Sequence, residues 1–168
     1  MAPMTAAIFR AELFKEIGML DEGFGSYLED VDFGLRCAIA GRKGIYAHGA
    51  ISYHLGSATW GTWNKDTVGR ISRNQILLVK KHFGGMAKWR IVAGQLLWGL
   101  VAFRHGRGFS YLKGKLEGFS TKVVAGSGVA AGVFAQAVIK ASEREIFELQ
   151  TQTGFDPYWR AYFWLSRQ

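Results

Sequence analysis

Residues 27 to 36 read "YLEDVDFGLR" and place three carboxylates, Glu29, Asp30 and Asp32, within four positions. Downstream of them Val31, Leu35, Ala38 and Ile39 recur at helical spacing as far as Ala40, and Gly41 stands where a helix C-cap belongs. The spacing therefore predicts an amphipathic helix from Glu29 to Ala40 whose first turn is strongly acidic. Two ordinary roles explain such a turn. Acidic side chains there offset the positive end of the helix dipole and cap free N–H groups, for roughly 0.3 to 1 kcal/mol each. Asp32 and Arg36, four apart, also have the spacing of a surface ion pair.

Upstream, "MTAAIF" (4–9) is an apolar run of strand length, "RAELFKEIG" (10–18) reads as a short helix stopped by Gly18, and "MLDEGFGSY" is a glycine-punctuated loop. Downstream, "GIYAH" (44–48) and "AISYH" (50–54) are strand candidates. "GSATWGTWNKD" (56–66) is loop-like, and residues 67–83 return to a helix carrying Ile71, Leu78 and Val79. The expected class is α/β.

The chain has 168 residues, 49% of them hydrophobic, enough for one domain with its own core. A single cysteine, Cys37, excludes an internal disulfide framework and a cysteine-rich zinc site; its apolar neighbours point to packing, and a reducing, cytoplasmic compartment is the natural expectation. No secretory signal pattern opens the chain. The net charge of +8 is unevenly spread: residues 1–41 hold three basic and seven acidic side chains, residues 42–122 fourteen basic and two acidic, and the remainder balances. A basic block of this size is either a solvated surface or an attraction to nucleic acid, a phosphorylated ligand or an anionic membrane.

Beyond residue 84 the pattern is helical. Ile91 to Phe103 is a thirteen-residue uncharged run bracketed by Lys88, Arg90, Arg104 and Arg107. It is shorter than the roughly 20 residues a bilayer span needs. It is long enough to lie in an interface with Trp89 and Trp98 at headgroup depth, or to form a buried core helix with snorkelling ends. Residues 123–139, uncharged but rich in Gly and Ala, are a weaker candidate still.

The order "FRAELFKEIGMLDEGFGSYLEDVDFGLRCAIAGRKGIYAHGAISYHLGSAT", residues 9–59, resembles the C-terminal half of the catalytic domain of family 2 glycosyltransferases, in particular the rhamnosyltransferase-like branch. The resemblance implies a GT-A portion over residues 1–83, the acceptor and base half, followed by a helical, membrane-associated extension over 84–168. It implies inverting transfer of a sugar from a nucleoside-diphosphate sugar to a glycan or lipid-linked acceptor, in cell-wall or polysaccharide synthesis. Asp30, second of the "ED" pair, takes the role of general base, with Glu29 orienting the acceptor. His54, ahead of "LGSAT", takes the place of a ligand to Mn²⁺ or Mg²⁺.

"DVD" at 30–32 is not the Asp-x-Asp metal motif, because residues two apart on a helix point about 200° away from each other. Ser57, Thr59 and Arg73 are candidates to meet the leaving diphosphate and Trp60 to stack on a sugar, although loop hydroxyls, a solvated arginine and a packed tryptophan are ordinary alternatives. The family's donor-binding half would precede Met1, so the chain is expected to be a fragment that transfers no sugar alone. The rival class is a non-catalytic module holding anionic membrane or nucleic acid. Nucleic acid is disfavoured by the lack of any zinc finger, helix-turn-helix or RNA-binding aromatic motif. The expected location is the cytoplasmic face of a membrane.

Overall fold

A computed structural model describes residues 6–54, 61, 63–83, 89–123 and 128–166. They form seven helices: α1 Ala11–Ile17, α2 Glu29–Ile39, α3 Lys65–Phe83, α4 Trp89–Arg104, α5 Gly108–Ser120, α6 Gly128–Thr153 and α7 Pro157–Ser166, with a short 3₁₀ turn at Glu22–Phe24. No strand occurs among the described residues, which overturns the α/β expectation: this fold is helical.

The physical reason lies in what a strand requires. "GIYAH" and "AISYH" have strand-like composition, but a strand is held by a neighbour that completes its hydrogen-bond ladder and buries one face. Here a turn, Ala50 N–H to the Ala47 carbonyl at 3.0 Å, joins the two segments. Ile45, Tyr46, Ile51 and Tyr53 all stand out in solvent, Tyr53 98% exposed. Ile8, from the first strand candidate, is likewise fully exposed, and residues 4 and 5 lie outside the described part.

The helix expected from Glu29 is α2, ending at Ile39. It closes on a small aromatic cluster with α1, in which the rings of Phe9, Phe14 and Phe33 lie 5.3–5.7 Å apart. The organising element is α3. Its Val68 packs with Ala102 and Tyr111, and its Val79 and Phe83 pack with Ala135 of α6. Hence α3 ties the residues before 84 to the helices after them through two apolar clusters.

The α3–α5 contact depends on glycine. A Cβ on Gly114 would come within 2.2 Å of the Gly69 carbonyl oxygen, and one on Gly118 within 2.7 Å of the Arg73 carbonyl oxygen, so the two backbones touch where side chains would normally stand. Lys80 then closes the end of α5, its Nζ donating to the carbonyls of Gly118, Phe119 and Thr121 at 2.7–3.0 Å. At the far side α4, α6 and α7 meet through Arg90, Glu143 and Tyr162, with Glu143 bonded to both of the others.

Residues 89–104 form a helix that is not buried all round. Ala93, Gly99 and Ala102 face the core while Leu96, Leu100 and Phe103 face solvent. In α5, Gly108, Gly114 and Gly118 are buried while Phe109, Leu112, Leu116 and Phe119 are exposed. Small residues inside and large apolar residues outside reverse the usual pattern of a soluble helix. Trp98 packs against the Val68 cluster rather than projecting outward; Trp89 is half exposed and donates its indole N–H to the Leu165 carbonyl. No described helix is long and apolar enough to cross a membrane.

Candidate functional site

The start of α2 is built on strained backbone. Tyr27 and Leu28 both have positive φ, 73° and 67°, a left-handed conformation that costs a non-glycine residue about 1 to 3 kcal/mol. Asn74 of α3 holds it. Its buried Nδ2 lies 2.9 Å from the carbonyl of Phe24, 3.0 Å from that of Ser26 and 2.7 Å from that of Tyr27. Arg73 adds a bond to the Gly23 carbonyl at 3.1 Å and to Asn74 Oδ1 at 2.8 Å. The loop 23–27 is therefore clamped by two adjacent residues fifty positions away, and α2 begins where the clamp ends.

The three acidic residues then separate into two kinds. Asp32 is fully buried. Its carboxylate receives His82 Nε2 at 2.7 Å, Lys81 Nζ at 2.9 Å and Arg36 Nε at 3.0 Å. Burial alone would raise its pKa, but the hydrogen bonds from His82 and Lys81 and the charges of Lys81 and Arg36 outweigh it, leaving Asp32 below the ordinary carboxylate value. Facing an ionised carboxylate, His82 Nε2 carries the proton and donates it. Lys81 also reaches Asp21 at 2.5 Å and holds that carboxyl low, while Arg36 caps the end of α1 through the carbonyls of Ile17 at 2.7 Å and Met19 at 2.8 Å. The Asp32–Arg36 pair does form, as its spacing allows, but it is an anchor joining α1, α2 and α3 and not a surface bridge.

Glu29 and Asp30 remain uncommitted by comparison. Both are half-buried in the first turn of α2 and neither makes an ion pair among the described residues. Asp30 Oδ1 accepts the Val31 N–H at 2.8 Å, and Glu29 Oε2 is shielded from water yet finds no hydrogen-bond partner among the described residues. A carboxylate held at a helix N-terminus, on packed elements and free of a fixed cation, is suited to accept a proton.

Of the other candidates, Arg73 joins this site through the loop it clamps. His54 is exposed, and no described hydrogen bond or ion pair links it to α2. Ser57, Thr59 and Trp60 lie outside the described residues. No group of three His, Cys, Asp or Glu among the described residues could hold a metal ion, so these residues do not by themselves fit one. Sequence reasoning offers Asn74, beside Arg73, only as a residue that could approach the diphosphate, finds no metal-ligand spacing at His82, and passes over Lys81 and Asp21. Each acts across a separation of about fifty residues or more, which no local spacing records.

The family model described as glycosyl transferase family group 2 matches residues 3–135, a region that runs through α5 and into α6. No curated protein and no solved structure matches the chain. With the match covering well over half of the 168 residues, and the "ED" pair at the head of a clamped helix inside it, the chain belongs to glycosyl transferase family group 2.

Proposed function

We propose that this chain forms the acceptor and base part of an inverting glycosyltransferase of the rhamnosyltransferase-like branch. It would transfer a sugar from a nucleoside-diphosphate donor to a glycan or lipid-linked acceptor in cell-wall or polysaccharide synthesis. The observation that carries this reading is the division of labour in the acidic turn: Asp32 is spent on Lys81, Arg36 and the His82 ring, while Glu29 and Asp30 are presented unpaired by a strained, clamped loop. Strain retained at a loop that aims two carboxylates is costly unless the aim matters.

In the reaction, the acceptor hydroxyl oxygen bonds to the anomeric carbon as that carbon's bond to the diphosphate breaks. Asp30 takes the hydroxyl proton, and the diphosphate leaves with the bonding pair. Glu29 orients the acceptor. The anchor formed by Asp32, Lys81 and His82 fixes α2 against α3, so that the base stays within hydrogen-bond reach of its proton. The same reading includes dependence on Mn²⁺ or Mg²⁺ with His54 as one ligand, the carboxylate ligands being supplied from outside this chain.

A membrane-facing role for the helices after α3 rests on a separate observation, the reversed packing of α4 and α5. Trp89, Leu96, Leu100 and Phe103 lie along one side of α4, and Phe109, Leu112, Leu116 and Phe119 along one side of α5, all at least 49% exposed. Arg104, Arg107, Lys113 and Lys122, exposed on the same hairpin, suit anionic headgroups. This reading puts the protein at the cytoplasmic face of a membrane.

The test of the catalytic reading is Asp30→Asn in a donor-binding form of the enzyme. Transfer from a panel of nucleoside-diphosphate sugars should fall by about 10² to 10⁴ with unchanged helix content, as expected for loss of a general base. Near-normal turnover would return Asp30 to capping.

A further inference from the structure

Beside the clamped loop, Ser26, Tyr27, Asp66, Thr67 and Arg70 line a cavity of about 180 Å³. It lies between the residues that precede Glu29 and the first turns of α3. Three features distinguish it from an incidental gap. First, every residue lining it carries a hydrogen-bonding or charged group, set among apolar carbon surface. Second, Asp66 and Arg70 stand four apart on α3 with opposite charges, a spacing that ordinarily gives an ion pair, yet neither is paired among the described residues. Third, Tyr27 is one of the two strained residues, and its hydroxyl lies 3.2 Å from the Thr67 hydroxyl. The Asn74 clamp that aims Glu29 and Asp30 therefore also fixes a wall of this cavity.

We propose that the cavity is an acceptor subsite that holds one neutral pyranose ring. The inference rests on the reading of the chain as a sugar-transferring domain and adds to it the residues that grip the acceptor. Size supports a single ring, since the volume is below the roughly 300 to 1,000 Å³ of sites for larger ligands. The chemistry supports a polyol. Sugar hydroxyls both donate and accept. The Asp66 carboxylate accepts only, the Arg70 guanidinium donates only, and the hydroxyls of Ser26, Tyr27 and Thr67 do either, so adjacent ring hydroxyls find complementary partners. A phosphate would meet Arg70 but be repelled by Asp66, and this decides against an anionic ligand.

The test is binding, not turnover. Saturation-transfer NMR on the whole chain with methyl glycosides of neutral hexoses and deoxyhexoses should show millimolar binding of at least one, unaffected by inorganic phosphate. Asp66→Asn and Arg70→Ala, both at exposed positions, should each weaken it about tenfold with helix content unchanged. Tyr27→Phe serves as a second check that keeps the ring and removes only the hydroxyl facing Thr67; it should weaken binding less. Absence of binding by every glycoside would overturn the proposal. Binding indifferent to both Asp66 and Arg70, or displacement of the glycoside by phosphate through Arg70, would do the same. No donor, metal or transfer enters the readout, so an Asp30→Asn enzyme with normal turnover would defeat the catalytic reading while leaving this result to stand or fall separately.

Discussion

Lys115 offers the sharpest quantitative test of the helical core. It is buried where α3, α4 and α5 meet, and its Nζ donates to Gln75 Oε1 at 2.6 Å and Gln95 Oε1 at 2.7 Å, with the Tyr111 ring 5.2 Å away. No carboxylate within ion-pair distance balances it among the described residues. Burial lowers its pKa from 10.5 to about 7. Because the folded value lies below the unfolded one, the unfolded chain holds the extra proton between about pH 7 and 10.5. Stability therefore rises with pH across that window, at up to about 1.4 kcal/mol per unit.

Carried over the whole interval, the shift amounts to an upper bound of about 5 kcal/mol, of which we expect about 2 to 4 because the two glutamine carbonyls already favour the ammonium. The assay compares urea unfolding of the wild type and Lys115→Met from pH 6.5 to 9.5. This range ends below the titration of Tyr111, whose pKa burial raises. The methionine keeps the aliphatic length but cannot titrate, so the wild type should gain on the variant by about 2 kcal/mol or more as pH rises. Parallel stability curves for the two proteins would refute the assignment of a neutralised lysine at this junction.

Other expectations follow from the same contacts. Asn74→Ala removes the Nδ2 bonds to three carbonyls and the Oδ1 bond from Arg73 but releases the strain of Tyr27 and Leu28, so a net loss of about 2 kcal/mol and a fall in Tm of about 4 to 8 °C are expected in calorimetry; an unchanged Tm would mean the loop holds itself. Gly114→Ala forces a Cβ onto the Gly69 carbonyl and should cost about 3 kcal/mol or more by denaturant titration. Gly69→Ala, whose nearest contact would be an ordinary 3.7 Å, should be neutral or stabilising by up to about 1 kcal/mol. The chain should float with anionic vesicles, more weakly at high salt, and Leu116→Ser with Phe119→Ser should reduce that binding by about tenfold or more; equal flotation of wild type and variant would remove the α5 stripe from the contact.

The sequence by itself determined the helix that begins at Glu29, the family, the acidic turn and the basic, apolar helical segment after residue 84. All of these are written in local periodicity or in the order of neighbouring residues, which is why they are legible without coordinates. It misled where a local pattern needs a distant partner: 44–48 and 50–54 have the composition of strands, but a ladder is a property of two segments, and in the fold neither has the other half. The close packing of α5 is equally non-local: Gly114 lies against Gly69 and Ser72, and Gly118 against Arg73 and Ile76.

The division of the three carboxylates was decided by tertiary structure alone. In "EDVD" Asp30 and Asp32 have the same chemistry and nearly the same neighbours. What separates them is the turn of the helix, which sends Asp32 inward to Lys81 and His82, fifty residues on, while Glu29 and Asp30 stay at the helix head. The same distance hides the clamping role of Asn74, whose side chain holds the strained entry to that helix. Sequence proximity sets which groups are available, but burial and the cations that reach a carboxylate across the fold set which of them remains free to take a proton.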